Sequence, residues 1–204
     1  MAEYRLLTIW RIAAPLEDVY AAIHNSPRWP DWWPGMRKVE EIAPGDANGI
    51  DSVLRYHWQG HLPYRVVFDV LATRIEPCVA IEGAVQGDLQ GIGRWHFIGE
   101  GAVTVIRYEW HVRSARWWMN LIAPFARSLF TRNHATLMRQ GAEGLAGLLG
   151  APLLSQESID LMVEAVPPAA VSGRADPESG MTPERSQAAL PIDSPTPKDG
   201  SMSR

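Results

Sequence analysis

The sequence predicts an α+β protein in which a strongly curved antiparallel sheet wraps around one long C-terminal helix, with two short helices after the first strand. Three observations predict it. Residues 36–113 read as strand after strand, separated by turn signals. One helical segment of about 26 residues, Pro124 to Gly150, follows them. Consecutive strands joined by short turns form an antiparallel meander with one apolar face, and only that helix is long enough to cover it.

The first strand is residues 4–12, where Tyr4, Leu6, Thr8, Trp10 and Ile12 alternate against Arg5 and Arg11. Pro15 opens a helix with Glu17 and Asp18 in its first turn, where the dipole favours carboxylates, and Asn25 and Pro27 end it. The segment SPRWPDWWPG, residues 26–35, is short, stiff and irregular. Its Trp29, Trp32 and Trp33 either plug one end of the core or place one or two rings at a cavity mouth.

Six strand segments follow. Val39–Ile42 precedes the turn PGDANG. Ile50–Gln59 sets Leu54, Tyr56 and Trp58 against Arg55 and His57. Pro63 begins a strand that sets Tyr64, Val66, Phe68 and Val70 against Arg65 and Asp69, up to the break at Glu76-Pro77. Val79–Val85 comes next. Leu89–Ile98 sets Trp95 and Phe97 against Arg94 and His96. Val103–Arg113 sets Ile106, Tyr108, Trp110 and Val112 against Arg107, Glu109, His111 and Arg113. Glu109, His111, His96 and Arg107, on the outward face of adjoining strands, are expected to make cross-strand pairs in solvent.

The long helix begins at Pro124, whose missing N–H is no loss in a first turn, and stops at Gly150 with Pro152 behind it. Its length is about 39 Å. At about 100° per residue, Phe130, His134, Leu137, Met138, Gly141, Leu145 and Leu148 share one stripe. Gly141 and Gly144 cost helix stability, so a close neighbour is expected beneath them.

Residues 155–204 hold no aromatic residue and seven of the 16 prolines, and they are expected to be a disordered acidic tail with at most a short turn near Ile159–Glu164. The domain is thus expected to span residues 1–154. The tail takes eight of the 23 acidic and four of the 19 basic residues, so the remaining 15 and 15 balance. A neutral domain is not a bulk nucleic-acid binder. The alternating, charge-bearing N-terminus is a strand and not a signal peptide, and no apolar run is long enough for a membrane span. The lone Cys78 excludes an internal disulfide and points to a reducing, cytoplasmic compartment. Residues 110–142 carry five arginines and two histidines without a carboxylate. That face is either simply solvated or drawn weakly to an anionic membrane surface or to the acidic tail.

Chemistry-bearing motifs are few. No phosphate loop, GxSxG or HExxH occurs. His57 and His61 have a metal-like spacing, but Gly60 interrupts the strand and no carboxylate is near in sequence, so neither a metal nor a cofactor is expected. His134 is the best polar candidate, either as a structural imidazole or as a group that orients a carbonyl or shuttles a proton. Arg127, two turns earlier, is either a surface ion-pair partner or a greeting for an anionic ligand.

Several signatures resemble the START-like, or SRPBCC, superfamily, and its bacterial polyketide cyclase-like branch in particular. They are AAPLEDVYAAI, RWPDWWPG, LPYRVVF at 62–68, GDLQGIGRW at 87–95, TVIRYEWHV at 104–112 and NHATLMRQGAEGL at 133–145. The resemblance covers residues 3–150 and implies a helix-grip fold with a deep apolar cavity between sheet and long helix. The expected lining is Trp10, Trp33, Tyr56, Trp58, Phe68, Trp95, Phe97, Tyr108 and Trp110, with Arg127, Phe130, His134 and Met138 from the helix. The expected function is binding or carriage of a small hydrophobic ligand such as a lipid, quinone or polyketide. Two alternatives stay open: a cyclase/dehydratase using His134 and a pocket tyrosine, Tyr108, as acid and base, and a partner-binding module with a filled core. The oligomeric state is not legible.

Overall fold

The computed structural model describes residues 2–59, 65–115 and 123–163. Eight strands form one antiparallel sheet: β1 (Glu3–Ile12), β2 (Met36–Ala43), β3 (Val53–Trp58), β4 (Val66–Glu76), β5 (Ala80–Gly87), β6 (Leu89–Glu100), β7 (Val103–Ser114) and β8 (Leu153–Asp160). Their order is β2-β3-β4-β5-β6-β7-β1-β8. The meander of β2 to β7 is joined on one side by β1 and closed by β8. Between β1 and β2 lie α1 (Leu16–His24), a 3-10 turn (Ser26–Arg28) and the single turn α2 (Trp29–Trp32). The long helix α3 spans Ala123–Leu149. This is the helix-grip α+β architecture that the sequence predicts.

Local chemistry accounts for the boundaries. α1 follows Pro15 and carries Glu17 and Asp18 in its first turn. α3 ends where Gly150 enters the left-handed region at φ 59°. There the Gly150 and Ala151 N–H groups donate back to the carbonyls of Gly147 and Ala146, at 3.2 and 2.9 Å, which satisfies the end of the helix. Pro152 and β8 then reverse the chain onto the sheet.

One expectation is corrected here. Residues 155–160 do not open a disordered tail. They belong to β8, which pairs with β1 from Leu6↔Asp160 to Ile12↔Leu153. The pairing is extended by Ala13 N–H to Pro152 O and Leu161 N–H to Arg5 O, at 3.0 and 2.9 Å. The strand LLSQESID has little apolar alternation because it is an edge strand held by its backbone. Residues 161–163 form a turn. Residues 164–204 lie outside the described residues.

The concave face holds the core. Tyr4, Trp10, Ile12, Val19, Trp33, Ile106, Met138 and Leu145 are buried within it. On the convex face cross-strand pairs form, and of the four residues expected to make them His111 does. Arg55 grips Asp69 with two bonds of 2.7 and 2.9 Å. Arg74 and Arg94 both meet Glu82, at 2.8 and 3.1 Å. His111 meets Glu3 at 2.7 Å.

Candidate functional site

The site begins with the inward residues of β3 to β7. On β3 these are Leu54, Tyr56 and Trp58, and on β4 Phe68, Val70 and Ala72. The registers set Tyr56 opposite Phe68 and Trp95 opposite Tyr108. Tyr56 stacks on Phe68 with ring centres 5.6 Å apart, and Trp95 on Tyr108 at 4.0 Å. At the centre of the sheet, Gly83 of β5 faces Gly93 of β6, which faces Trp110 of β7. A Cβ on Gly93 would lie 2.7 Å from Cζ3 of Trp110 and 3.3 Å from the Tyr108 hydroxyl. The glycine therefore lets the Trp110 ring lie across the sheet, and the Tyr108 hydroxyl comes down beside it.

These side chains enclose a cavity of about 240 Å³. Its walls include Tyr56, Trp58, Phe68, Trp95, Tyr108 and Trp110, and its roof is Ile23, Ser26, Pro27 and Trp29. The roof is pinned: the Ser26 and Tyr56 hydroxyls are hydrogen-bonded at 2.9 Å, and Trp29 Nε1–H donates to Ile23 O at 3.0 Å. Burial pushes the Tyr56 phenol up to about 12, a rise tempered by that bond to Ser26. Burial also pushes Tyr108 well above the usual tyrosine value, and the nearby Tyr56 phenol adds to the rise. Both phenols therefore stay protonated near neutral pH. The Tyr108 hydroxyl makes no side-chain hydrogen bond among the described residues.

The structure divides the aromatic set expected on sequence. Tyr56, Trp58, Phe68, Trp95, Tyr108 and Trp110 line the cavity. Trp10, Trp33 and Phe97 do not; they are buried core. Trp33 docks α3, donating from Nε1 to Leu137 O at 2.8 Å with its ring packed under Gly141. The close approach expected beneath the two glycines is thus made by α2 and Trp33 and not by the sheet, since a Cβ on Gly144 would meet the carbonyl oxygen of Trp32 at 1.9 Å. Of the three tryptophans of the 26–35 segment, Trp29 reaches the cavity.

The cavity was expected between sheet and long helix; among the described residues, no side chain of α3 lines it. Phe130, His134 and Met138 are buried in the core, with Phe130 against Tyr4 at 4.0 Å between ring centres. Among the described residues, the cover over the cavity comes from the end of α1, the 3-10 turn and Trp29. The Arg127 side chain, Tyr64 and His61 lie outside the described residues. His134 is 4% exposed, and burial lowers its imidazole to about 4, so it is neutral at physiological pH. A buried imidazole normally finds a hydrogen-bond partner, yet its Nε2 has none among the described residues.

Sequence reasoning missed Ser26, Ile23, Gly93 and the second row Leu54, Val70 and Ile81. An inward phase was visible for the last three, but nothing local says which part of an apolar face stays uncovered. It also missed the carboxylate beside His57, because Glu40 reaches it at 2.7 Å across the β2–β3 pairing. Among the described residues no group of three or more His, Cys, Asp or Glu side chains could hold a metal ion. No described helix is long and apolar enough to cross a membrane.

A curved antiparallel sheet gripping a long helix, with an aromatic cavity in its palm, defines the START-like class of proteins. The chain belongs to the family described as polyketide cyclase / dehydrase and lipid transport, which it matches over residues 9–150. Its fold is similar to that of the Zhui aromatase/cyclase from Streptomyces sp. R1128, at 14% identity and a TM-score of 0.58 over 73% of this chain and 94% of that one. It is similar also to a START superfamily protein from Mycobacterium smegmatis, at 14% identity and a TM-score of 0.57 over 72% and 97%. A third similar structure is the major latex-like protein 151 of Panax ginseng, at 9% identity and a TM-score of 0.54 over 72% and 97%. At such identities the likeness speaks for the fold alone. No curated protein matches the chain.

Proposed function

We propose that the protein binds and carries a small hydrophobic ligand in the cavity beneath Ser26 and Trp29. The observation that carries this reading is a half-open cavity of about 240 Å³ walled by six aromatic rings, with the hydroxyl of the buried Tyr108 left unbonded. Pockets of this kind are mostly apolar, with a few polar groups that fix orientation. The volume is below the roughly 300–1,000 Å³ usual for drug-sized ligands, so it suits a compact one. An open cavity also speaks against the filled-core reading.

An enzymatic reading, suggested by the aromatase/cyclase with a similar fold, needs an acid and a base that share the substrate. Tyr108 is in the cavity, but His134, the other half of the pair expected on sequence, is not among its lining residues. A phenol held well above its usual value is a poor proton donor and a poorer base at neutral pH. The carrier reading is therefore preferred.

Native mass spectrometry of gently purified protein tests it, with Ala72→Phe as the control. Ala72 lines the cavity from β4, and a phenyl ring there fills it. Wild type should retain one small apolar molecule per chain, or take up an added two-ring aromatic, and the filled variant should do neither. Wild type and Ala72→Phe behaving alike would remove the reading, and release of a chemically changed ligand would favour the enzyme.

A further inference from the structure

We infer that the cavity selects neutral aromatic ligands carrying a carbonyl or similar acceptor oxygen, held by the Tyr108 hydroxyl, and rejects carboxylates. This rests on the binding reading above and specifies its ligand class.

The donors and acceptors on the lining residues decide which ligand the space takes, and one of them, Trp58 Nε1–H, is buried without a partner among the described residues. Tyr56 has its hydroxyl committed to Ser26 at 2.9 Å. The Tyr108 hydroxyl is not committed, although the residue is 6% exposed and flanked by the rings of Trp95 and Trp110. A hydroxyl on a buried ring, facing a mostly apolar cavity and without a protein partner, is poorly supplied with hydrogen bonds. A ligand oxygen beside Gly93 restores one. Only a glycine leaves that approach clear, since any side chain there would meet Trp110 and the hydroxyl itself.

The charges decide the rest. No lysine or arginine lies among the described lining residues; the ionisable side chains are Glu41, Glu82, the two tyrosines and the imidazole of His24. His24 and Glu41 are exposed, at the rim. Glu82 is taken up by Arg74 and Arg94 on the convex face. A carboxylate entering beside Tyr108 would leave water for a space that offers it no cation among the described lining residues, past a rim that carries a carboxylate. Desolvation of an unpaired anion costs far more than one hydrogen bond returns. The same environment keeps both phenols from ionising, and no described cation relieves either of them. A flat ring is favoured by the walls, where stacked and tilted aromatics leave slots.

The test is equilibrium dialysis of three probes that share one ring system: naphthalene, 2-acetylnaphthalene and 2-naphthoate, at neutral pH against wild type and Tyr108→Phe. The hydroxyl has no protein partner to lose, so the variant should fold, and a thermal melt checks that. In wild type, 2-acetylnaphthalene should bind about 5-fold tighter than naphthalene, the worth of one hydrogen bond. It should bind at least about 10-fold tighter than 2-naphthoate. Tyr108→Phe should erase the first margin and leave naphthalene unchanged. If 2-naphthoate binds as tightly as the ketone, or if Tyr108→Phe leaves the ketone's advantage intact, the inference fails while the binding reading stands. If none of the three binds, both fail.

Discussion

Gly144→Ala replaces a helix-weakening residue with the best helix former, and it should nevertheless destabilise the protein. A Cβ at this position would lie 1.9 Å from the carbonyl oxygen of Trp32 and 3.0 Å from its carbonyl carbon. Non-bonded carbon contacts settle near 3.5–4.0 Å, so α2 would have to retreat by more than about 1 Å. It is not free to retreat. The next residue, Trp33, donates from Nε1 to Leu137 O at 2.8 Å, and its ring packs under Gly141. Overpacking of this kind costs roughly 1–3 kcal/mol, and a strained hydrogen bond adds about 1 kcal/mol. The gain in helix propensity returns about 1 kcal/mol. The net loss is about 1–3 kcal/mol, or a melting temperature lower by roughly 3–10 °C for a chain of this size. Gly147 provides the control on the same helix: nothing lies within 4 Å of its Cβ position, and the residue is exposed. Gly147→Ala should raise the melting temperature by roughly 1–4 °C through propensity alone. The assay is a near-ultraviolet circular dichroism melt of the three proteins. Gly144→Ala melting at or above wild type while Gly147→Ala is raised would mean that the Trp32 carbonyl does not sit against the helix, and the account of how α2 docks would be wrong.

Two further outcomes are expected. The His134 imidazole titrates near 4 in the fold against about 6.5 in the unfolded chain, so as pH falls the unfolded state takes the proton first; stability is full above about 6.5 and falls toward 4, by up to about 3 kcal/mol. His134→Leu should remove that part of the pH dependence, and denaturant titrations of both proteins at pH 7 and 4.5 should show the wild-type-minus-variant difference shifting by about 2–3 kcal/mol; a constant difference would contradict a buried imidazole kept neutral by desolvation. A chain ended at Pro152 should melt about 6–12 °C below one ended at Val163, because it loses the β8–β1 ladder at a few net hydrogen bonds of about 1 kcal/mol each; equal melting would show that β8 contributes nothing to the fold.

How much of this was legible depends on what each signal reports. Alternation reports a face. In β7 it separates Ile106, Tyr108, Trp110 and Val112 from Arg107, Glu109, His111 and Arg113, and the structure keeps that division. Helix phase likewise puts His134 on the buried stripe, and Gly141 and Gly144 announce a close neighbour. Neither signal names the partner across a gap. That Trp32 and Trp33 fill the space under the two glycines, or that Glu40 lies beside His57, follows from docking and register, which no local pattern encodes. β8 was missed for a related reason: an edge strand is held by backbone pairing, and LLSQESID has no apolar row to betray it.

The same aromatic alternation runs through β1, β3, β4, β6 and β7, yet it makes solid core at one end of the concave face and a cavity at the other. What differs is the cover. Over β1, α3 brings Phe130, His134, Leu137 and Met138, and all four are buried. Over the cavity of β3 to β7, the described roof is the end of α1, the Ser26 turn and Trp29. Gly83 and Gly93, facing each other at its centre, remove the two Cβ atoms that would otherwise stand in the space. The two tyrosines then take opposite roles that sequence alone does not separate. Tyr56 commits its hydroxyl to Ser26 and so holds the roof at its distance from the floor. Tyr108, set on the floor beside Gly93, keeps its hydroxyl unbonded. The tie of the first to Ser26 pins the roof, and the proposed preference for a ligand oxygen rests on the second, whose hydroxyl has no such tie.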